Sequence, residues 1–432
     1  MNQQAEQYIR DLNHENVDNR LNALRKLMEL ESKGIIPKPV QGNDVNNHIH
    51  TIYSFSPYSP TKALWLAYQA GLTTAGIMDH DSVSGTKEFI EAGKIIGIAT
   101  TIGVECRADF SNTPLNGKRI NNPDQQSIAY MAIHGIPHTK IDIVKDFFEP
   151  YTKERNKRNR KMVNKINELL QSHDIILDFD KDVLPISKAE EGGSVTERHI
   201  LFALSLKLIN RYGKGESLVQ FIKNDLEINI SPKIEKYLLD VSNPFYEYDL
   251  LGVLKSDMVS KFYINADAEC PDVREVIELS KKIGAISAYA YLGDVEESVT
   301  GDKKSQKFED DYLDLLFEVI KDLGFDAVTY MPSRNSLQQL KRLKGLCEKY
   351  GFFEISGEDI NSPRQSFVCE ALKNEEFSNL IDSTWALIGH EISATRDINN
   401  GLFSQSTVCK YPNLYDRIEL YKKIGKDYYN QR

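Results

Sequence analysis

An α/β fold with a parallel sheet, split in its middle by a helical insertion, is what the sequence predicts. Three observations carry this expectation. Short apolar runs alternate with helical periods between residues 45 and 108, the β-α-β-α-β rhythm of strands joined by crossover helices. The same rhythm returns between 273 and 355. The stretch between them, about 125–265, is charged and helical in period, so two half-barrels flank a different kind of structure.

The elements follow in order. Ile9, Leu12, Val17, Leu21, Leu24 and Leu27 recur at three- to four-residue spacing, marking an amphipathic helix that Gly34, Pro37 and Pro39 terminate. Strands are expected at 45–49, 74–78 and 98–104, with helices at 61–70 and 86–96. Helical periods at 155–170, 197–209 and 218–225 make up the insertion, and a strand-like stretch at 128–133 falls inside it. Further strands are expected at 285–290, 327–330 and 352–355. The tail carries helical signals at 381–388 and 415–424, with Asn399, Asn400 and Gly401 as a turn. The chain thus divides into an N-terminal helical segment (1–40), a first barrel half (41–124), the insertion (125–268), and a second barrel half with C-terminal helices (269–432).

Composition narrows the class. A chain of 432 residues with 41% apolar and 27% charged residues can bury a sizeable core and is neither disordered nor low in complexity. A net charge of −10 argues against a constitutive partner of nucleic acid or of anionic membranes, which favour basic surfaces. The five cysteines are scattered without a C-x-x-C pair, which excludes a zinc ribbon and suits a reducing cytoplasm. Residues 1–10 lack the pattern of a signal peptide, and no apolar run reaches the roughly 18–20 residues of a membrane span. A cytoplasmic protein is expected.

With only nine histidines, their positions are informative. His48 and His50 close the first strand candidate, and because strand side chains alternate, both project to one face. Asp79, His80 and Asp81 follow the second strand, Glu105 ends the third, and Glu358, Asp359 and Asn361 follow the last. In a parallel barrel the C-terminal strand ends converge on one mouth, so these groups can meet. Histidine nitrogen with carboxylate oxygen suits manganese, iron or zinc. Asp81 also reads as the N-cap of the next helix, and His390 as a helix C-terminal cap. His134 and His138 fit either a ligand or a loop role.

Together, His48-Ile49-His50-Thr51-Ile52-Tyr53-Ser54, Asp79-His80, Gly103-Val104-Glu105 and Asp359-Ile360-Asn361 resemble the motif order of the polymerase-and-histidinol-phosphatase (PHP) superfamily. The resemblance is close over 45–106 and looser over 283–361. It implies a distorted (β/α)7 PHP-type barrel, with up to three metal ions at its mouth. A first site would be His48, His50, Glu105 and Asp359. A second would share Glu105 and add His199, while Tyr291 stands where another histidine is expected. A third would retain His80, but Phe55 and Asn361 replace its other ligands, and only the asparagine carbonyl can coordinate. One secure ion and a second beside it are the expectation.

The resemblance further implies a metal-dependent phosphoesterase that uses a metal-activated water on a small phosphorylated metabolite or nucleotide. Glu105, His80 and Tyr291 are the candidate catalytic groups. Arg334, Arg364, Arg158 and Arg198 are the candidates for gripping phosphate, since guanidinium binds its oxygens bidentately. The basic run 153–161 reads chiefly as a solvated helix face, and His199 could instead be a helix-surface residue. The competing readings are a metal-binding module that senses a ligand without catalysis, supported by the losses at Phe55, Tyr291 and Asn361, and a nuclease.

Overall fold

The computed structural model describes residues 3–295 and 306–430. One seven-stranded sheet runs in sequence order through β1 (Val45–Ile49), β2 (Thr74–His80), β3 (Ala99–Asp109), β4 (Ile128–His134), β5 (Ile286–Tyr291), β6 (Ala327–Tyr330) and β7 (Phe353–Ser356). It curls into a barrel because the segment after β7 returns to β1: His50 N donates to Ile360 O at 2.9 Å, and Ile360 N to His48 O at 3.1 Å.

Pairing is parallel everywhere except around β4, which is antiparallel to both neighbours. The strand-like stretch placed within the insertion is therefore a barrel strand, and the sheet is not wholly parallel. A parallel neighbour needs a crossover of a dozen or more residues, commonly a helix; an antiparallel one does not. The loop joining β3 to β4 contains no helix. Because β4 runs backwards, the chain leaves it at the base, where His138 Nε2 meets Glu391 Oε1 at 2.8 Å. The helix Ile141–Leu169 then spans about 44 Å at 1.5 Å per residue, enough to carry the chain back to the mouth.

The outer helices obey their capping signals. Ser59 Oγ accepts Lys62 N at the start of Pro60–Gln69, and Ser336 with Gln339 forms a capping box on Leu337–Tyr350. Gly97, at φ 86°, ends Thr86–Ile96 in the left-handed conformation and turns the chain into β3. The single N-terminal helix expected from periodicity is two, Gln3–Asp11 and Val17–Ser32, the second capped by Asn16. They are fastened by Arg20, fully buried, which forks onto both oxygens of Glu88.

The base is closed by Asn379–Arg396. Asn47 Nδ2 donates to Thr384 Oγ1 at 2.8 Å, and Ile102 N to Glu391 Oε2 at 2.8 Å. His390 caps the following loop, its Nδ1 accepting Leu402 N. Gly389 and Gly425 let this helix meet Leu414–Asn430 backbone to backbone; a Cβ at Gly425 would stand 2.4 Å from Trp385 O. The insertion has its own apolar core, formed by residues such as Ile166, Leu204, Val219 and Leu254. No helix among the described residues is long and apolar enough to cross a membrane.

Candidate metal centre at the barrel mouth

Four strand ends deliver their side chains to one point. The β1–β2 register slips by one residue between Asn46 and Ile49, a bulge of the kind that re-aims side chains at barrel rims. Glu105 Oε2 is the hub. It lies 3.5 Å from His48 Nε2, 3.8 Å from His50 Nε2 and 3.2 Å from His80 Nδ1. Asp359 Oδ1, reaching in from the segment that closes the barrel, is 3.2 Å from His50 Nε2.

Two overlapping triads result, His48/His50/Asp359 and His50/His80/Glu105, each with its ligand atoms within 4.8 Å of one another. Donors bound about 2.1 Å from one ion at tetrahedral angles stand about 3.4 Å apart. The observed separations bracket that edge length, so the donor set fits a divalent cation, by spacing as well as by chemistry. The floor is buried, while the side chains of His80 (28% exposed) and Asp359 (35%) form an open rim.

The electrostatics are those of a desolvated cluster. Burial pushes the Glu105 carboxyl up, but the neighbouring His48 and His80 outweigh it and bring it to about 2. Burial likewise opposes the charge on His48, and Glu105 overcomes it, leaving that imidazole raised. His80 is taken down to about 3 chiefly by burial. Asp359 is held well below the carboxylate range, its burial outweighed by the hydrogen bond and charge of His50. Burial pushes Asp79 up, against His50, Ser54 and Thr51.

Beside the cluster lies a buried ionic network. Arg107, two residues beyond Glu105 on the same face of β3, pairs with Glu269 and Glu197. Arg158 Nη2 bonds Glu197 Oε1 at 2.6 Å and Glu269 Oε1 at 2.9 Å. Arg155 joins Glu269 to Asp81, the neighbour of His80. Three guanidinium groups thus face the three carboxylates Asp81, Glu197 and Glu269, tying the insertion to the barrel. Asp81 is an ion-pair partner here rather than a helix cap, the next helix having Gly85 at that position.

Other candidates are placed elsewhere. Tyr291 shares a face of β5 with Tyr289, in the core between barrel and helices, and its hydroxyl donates to Asp310 Oδ1 at 2.7 Å. His199 accepts Thr196 N on Nδ1 at 3.0 Å, and its ring packs at right angles on Phe55. That bond leaves the neutral ring's proton on Nε2, where it blocks a metal, and neither triad includes this residue. Arg364 clamps Asp249 bidentately and lies over the Tyr237 ring. Arg334 is partly buried in the loop after β6. Asn361 is beside the cluster, its amide donating to Asp359 Oδ1. Arg198 is near enough for its charge to help hold Asp359 down, and makes no hydrogen bond or ion pair among the described residues. His134 faces the barrel interior, cross-strand from Gly103, one layer below Glu105 and its partner Ala132.

Sequence reasoning passed over Arg107 and Glu269. The first was findable, since a residue two beyond Glu105 shares its face. The second had no local signal, because its partners lie 111 to 162 positions away.

Near Tyr291, burial pushes the Glu309 carboxyl up to about 7. A carboxyl whose folded value is raised favours the fold fully below its ordinary range, and that contribution is lost as pH rises through about 7. The loss is about 3 kcal/mol. Glu309→Gln should therefore flatten the fall in stability across that window, as read from denaturant unfolding at several pH values; equal pH dependence in both proteins would refute it.

No family model matches the chain, and no curated sequence does. Solved structures do match, among them the following two. A candidate metal-dependent phosphoesterase from Bifidobacterium adolescentis superposes with a TM-score of 0.51 at 21% identity, over 80% of this chain and 96% of that one. What the two chains share is the fold, a seven-stranded, mostly parallel barrel with outer helices. An amidohydrolase from Chromobacterium violaceum, holding sulfate and no metal, matches with a TM-score of 0.48 at 14% identity, over 76% of this chain and 90% of that one.

Proposed function

We propose that this chain is a metal-dependent hydrolase of phosphate esters of the PHP type, acting on a small phosphorylated metabolite or nucleotide. The observation that supports it most is the convergence of His48, His50, His80 and Asp359 around Glu105 at the open end of the barrel. A divalent cation held there supplies a water acidified towards neutrality and a Lewis acid for a phosphoryl oxygen.

The chain's own groups divide the remaining work. His48, His50, Glu105 and Asp359 hold the ion. His80, kept neutral by burial, offers Nδ1 as a further donor next to Glu105 rather than a proton to the leaving group. Arg158 and Arg364 are committed to carboxylates, and Arg198, whose charge reaches Asp359, is the candidate cation electrostatically linked to the cluster. Tyr291, bonded to Asp310, has no part in this scheme.

The test is phosphate release from sugar phosphates, nucleotides and p-nitrophenyl phosphate, with manganese, iron or zinc supplied. Turnover of one of these classes supports the reading. A protein that holds a cation but turns over none of them is instead a metal-binding sensor, the reading favoured by Phe55 packing away from the cluster. Asn361→His adds an imidazole next to Asp359 and should raise the metal content; unchanged stoichiometry would show that this edge of the mouth cannot complete another site.

A further inference from the structure

His50 is backed by a chain of buried polar groups. Ser54 Oγ lies 3.2 Å from His50 Nδ1 and donates to Asp79 Oδ1 at 2.6 Å. Thr51 loads the same carboxylate twice, through its N–H on Oδ1 and its hydroxyl on Oδ2, each at 2.6 Å. All four residues are at most 1% exposed. The turn that returns Ser54 beneath His50 is closed by Ser54 N and Phe55 N, both donating to Thr51 O. Phe55, at φ 122°, is then anchored in the insertion's core against His199, Phe202 and Tyr248.

A serine hydroxyl has one proton, and here it goes to Asp79. What Ser54 turns towards the imidazole is therefore a lone pair, which requires the hydrogen to be on Nδ1. In the neutral ring this leaves Nε2 with its lone pair towards Asp359 and Glu105, whereas the hydrogen bond to Asp359 belongs to the doubly protonated ring. Among the described residues, neither His48 nor His80 has a hydrogen bond on its other ring nitrogen, so His50 alone of the three is fixed from behind.

We propose that Ser54 and Asp79 are positioning residues: they hold His50 as its Nδ1–H tautomer and so present Nε2 to a divalent cation. Thr51 keeps the Asp79 carboxylate in place. The cation rests on the function proposed above, but the tautomer does not. Outer partners of this kind are worth about 10–100-fold in metal affinity.

The experiment uses the full chain. Long-range ¹H–¹⁵N correlation of the histidine rings in metal-free protein reads the tautomer of His50. Competition titration with zinc and with manganese reads the affinity. Wild type and Ser54→Thr, which keeps the hydroxyl, should show the Nδ1–H form. Ser54→Ala should show a mixture and bind zinc about 10–100-fold more weakly, with affinity recovered in Ser54→Thr. A proton on Nε2 in the wild type overturns the proposal without any variant being needed, which covers the case of an alanine variant that does not fold. Unchanged zinc affinity in a folded Ser54→Ala overturns it while leaving the cation site intact. Failure of the wild type to bind either metal removes the proposed function instead, and the ring tautomer then decides the relay by itself.

Discussion

Replacing His48 with alanine is expected to abolish turnover of any phosphate ester and to weaken cation binding by more than about 100-fold, since even outer-shell losses reach about 10–100-fold. His48 belongs to the triad with His50 and Asp359, and its Nε2 is also 3.5 Å from the Glu105 hub. Removing it takes away a neutral nitrogen donor that no nearby side chain can replace. The fold should survive, because among the described residues the ring's one polar side-chain contact is with Glu105. Metal analysis by mass spectrometry, alongside phosphate release, checks this. A variant with full metal content and activity would mean that the four strand ends do not form a common centre.

Removing Glu269 is expected to have the largest effect on stability. Its carboxylate, 3% exposed, serves Arg107, Arg155 and Arg158 at once. Glu269→Ala leaves three buried guanidinium groups with two carboxylates, Asp81 and Glu197, and stripping a partner from a buried pair costs about 3–5 kcal/mol. An exposed pair such as Lys153 and Glu149 is solvated and screened and contributes little, so the corresponding Glu149→Ala serves as the control. Chemical denaturation of both variants measures the contrast. A Glu269→Ala protein as stable as the control would show that water enters the network and solvates the arginines.

The larger part of the barrel was legible because it depends on local pattern. Six of the strands lie where apolar runs end in polar residues, and alternation alone put His48 and His50 on one face. The seventh, β4, was visible as a strand-like stretch but not as a member of the sheet. Its direction depends on which neighbour it pairs with, and nothing within Ile128–His134 encodes that. Donor types at the strand ends were equally readable, which is why the candidate cation cluster could be named residue by residue.

The arginines show the opposite case. Arg158, Arg198, Arg334 and Arg364 look alike in sequence, each a cation near a strand or helix end. Only the fold separates Arg158 and Arg364, consumed by carboxylates, from Arg198, whose charge reaches Asp359. Tyr291 and His199 show the same limit: motif position says where a side chain starts, and its neighbours decide where its polar atom goes.

By itself, then, the chain's order of residues determined the barrel class, the strand ends and the supply of imidazole and carboxylate donors, since these follow from periodicities of two and 3.6 residues. Tertiary structure decided which donors meet, which charges cancel and how His50 is oriented. Those outcomes rest on contacts between groups tens to hundreds of positions apart, such as Glu105 with Asp359's neighbour His50 or Arg158 with Glu269, and short-range pattern carries no record of them.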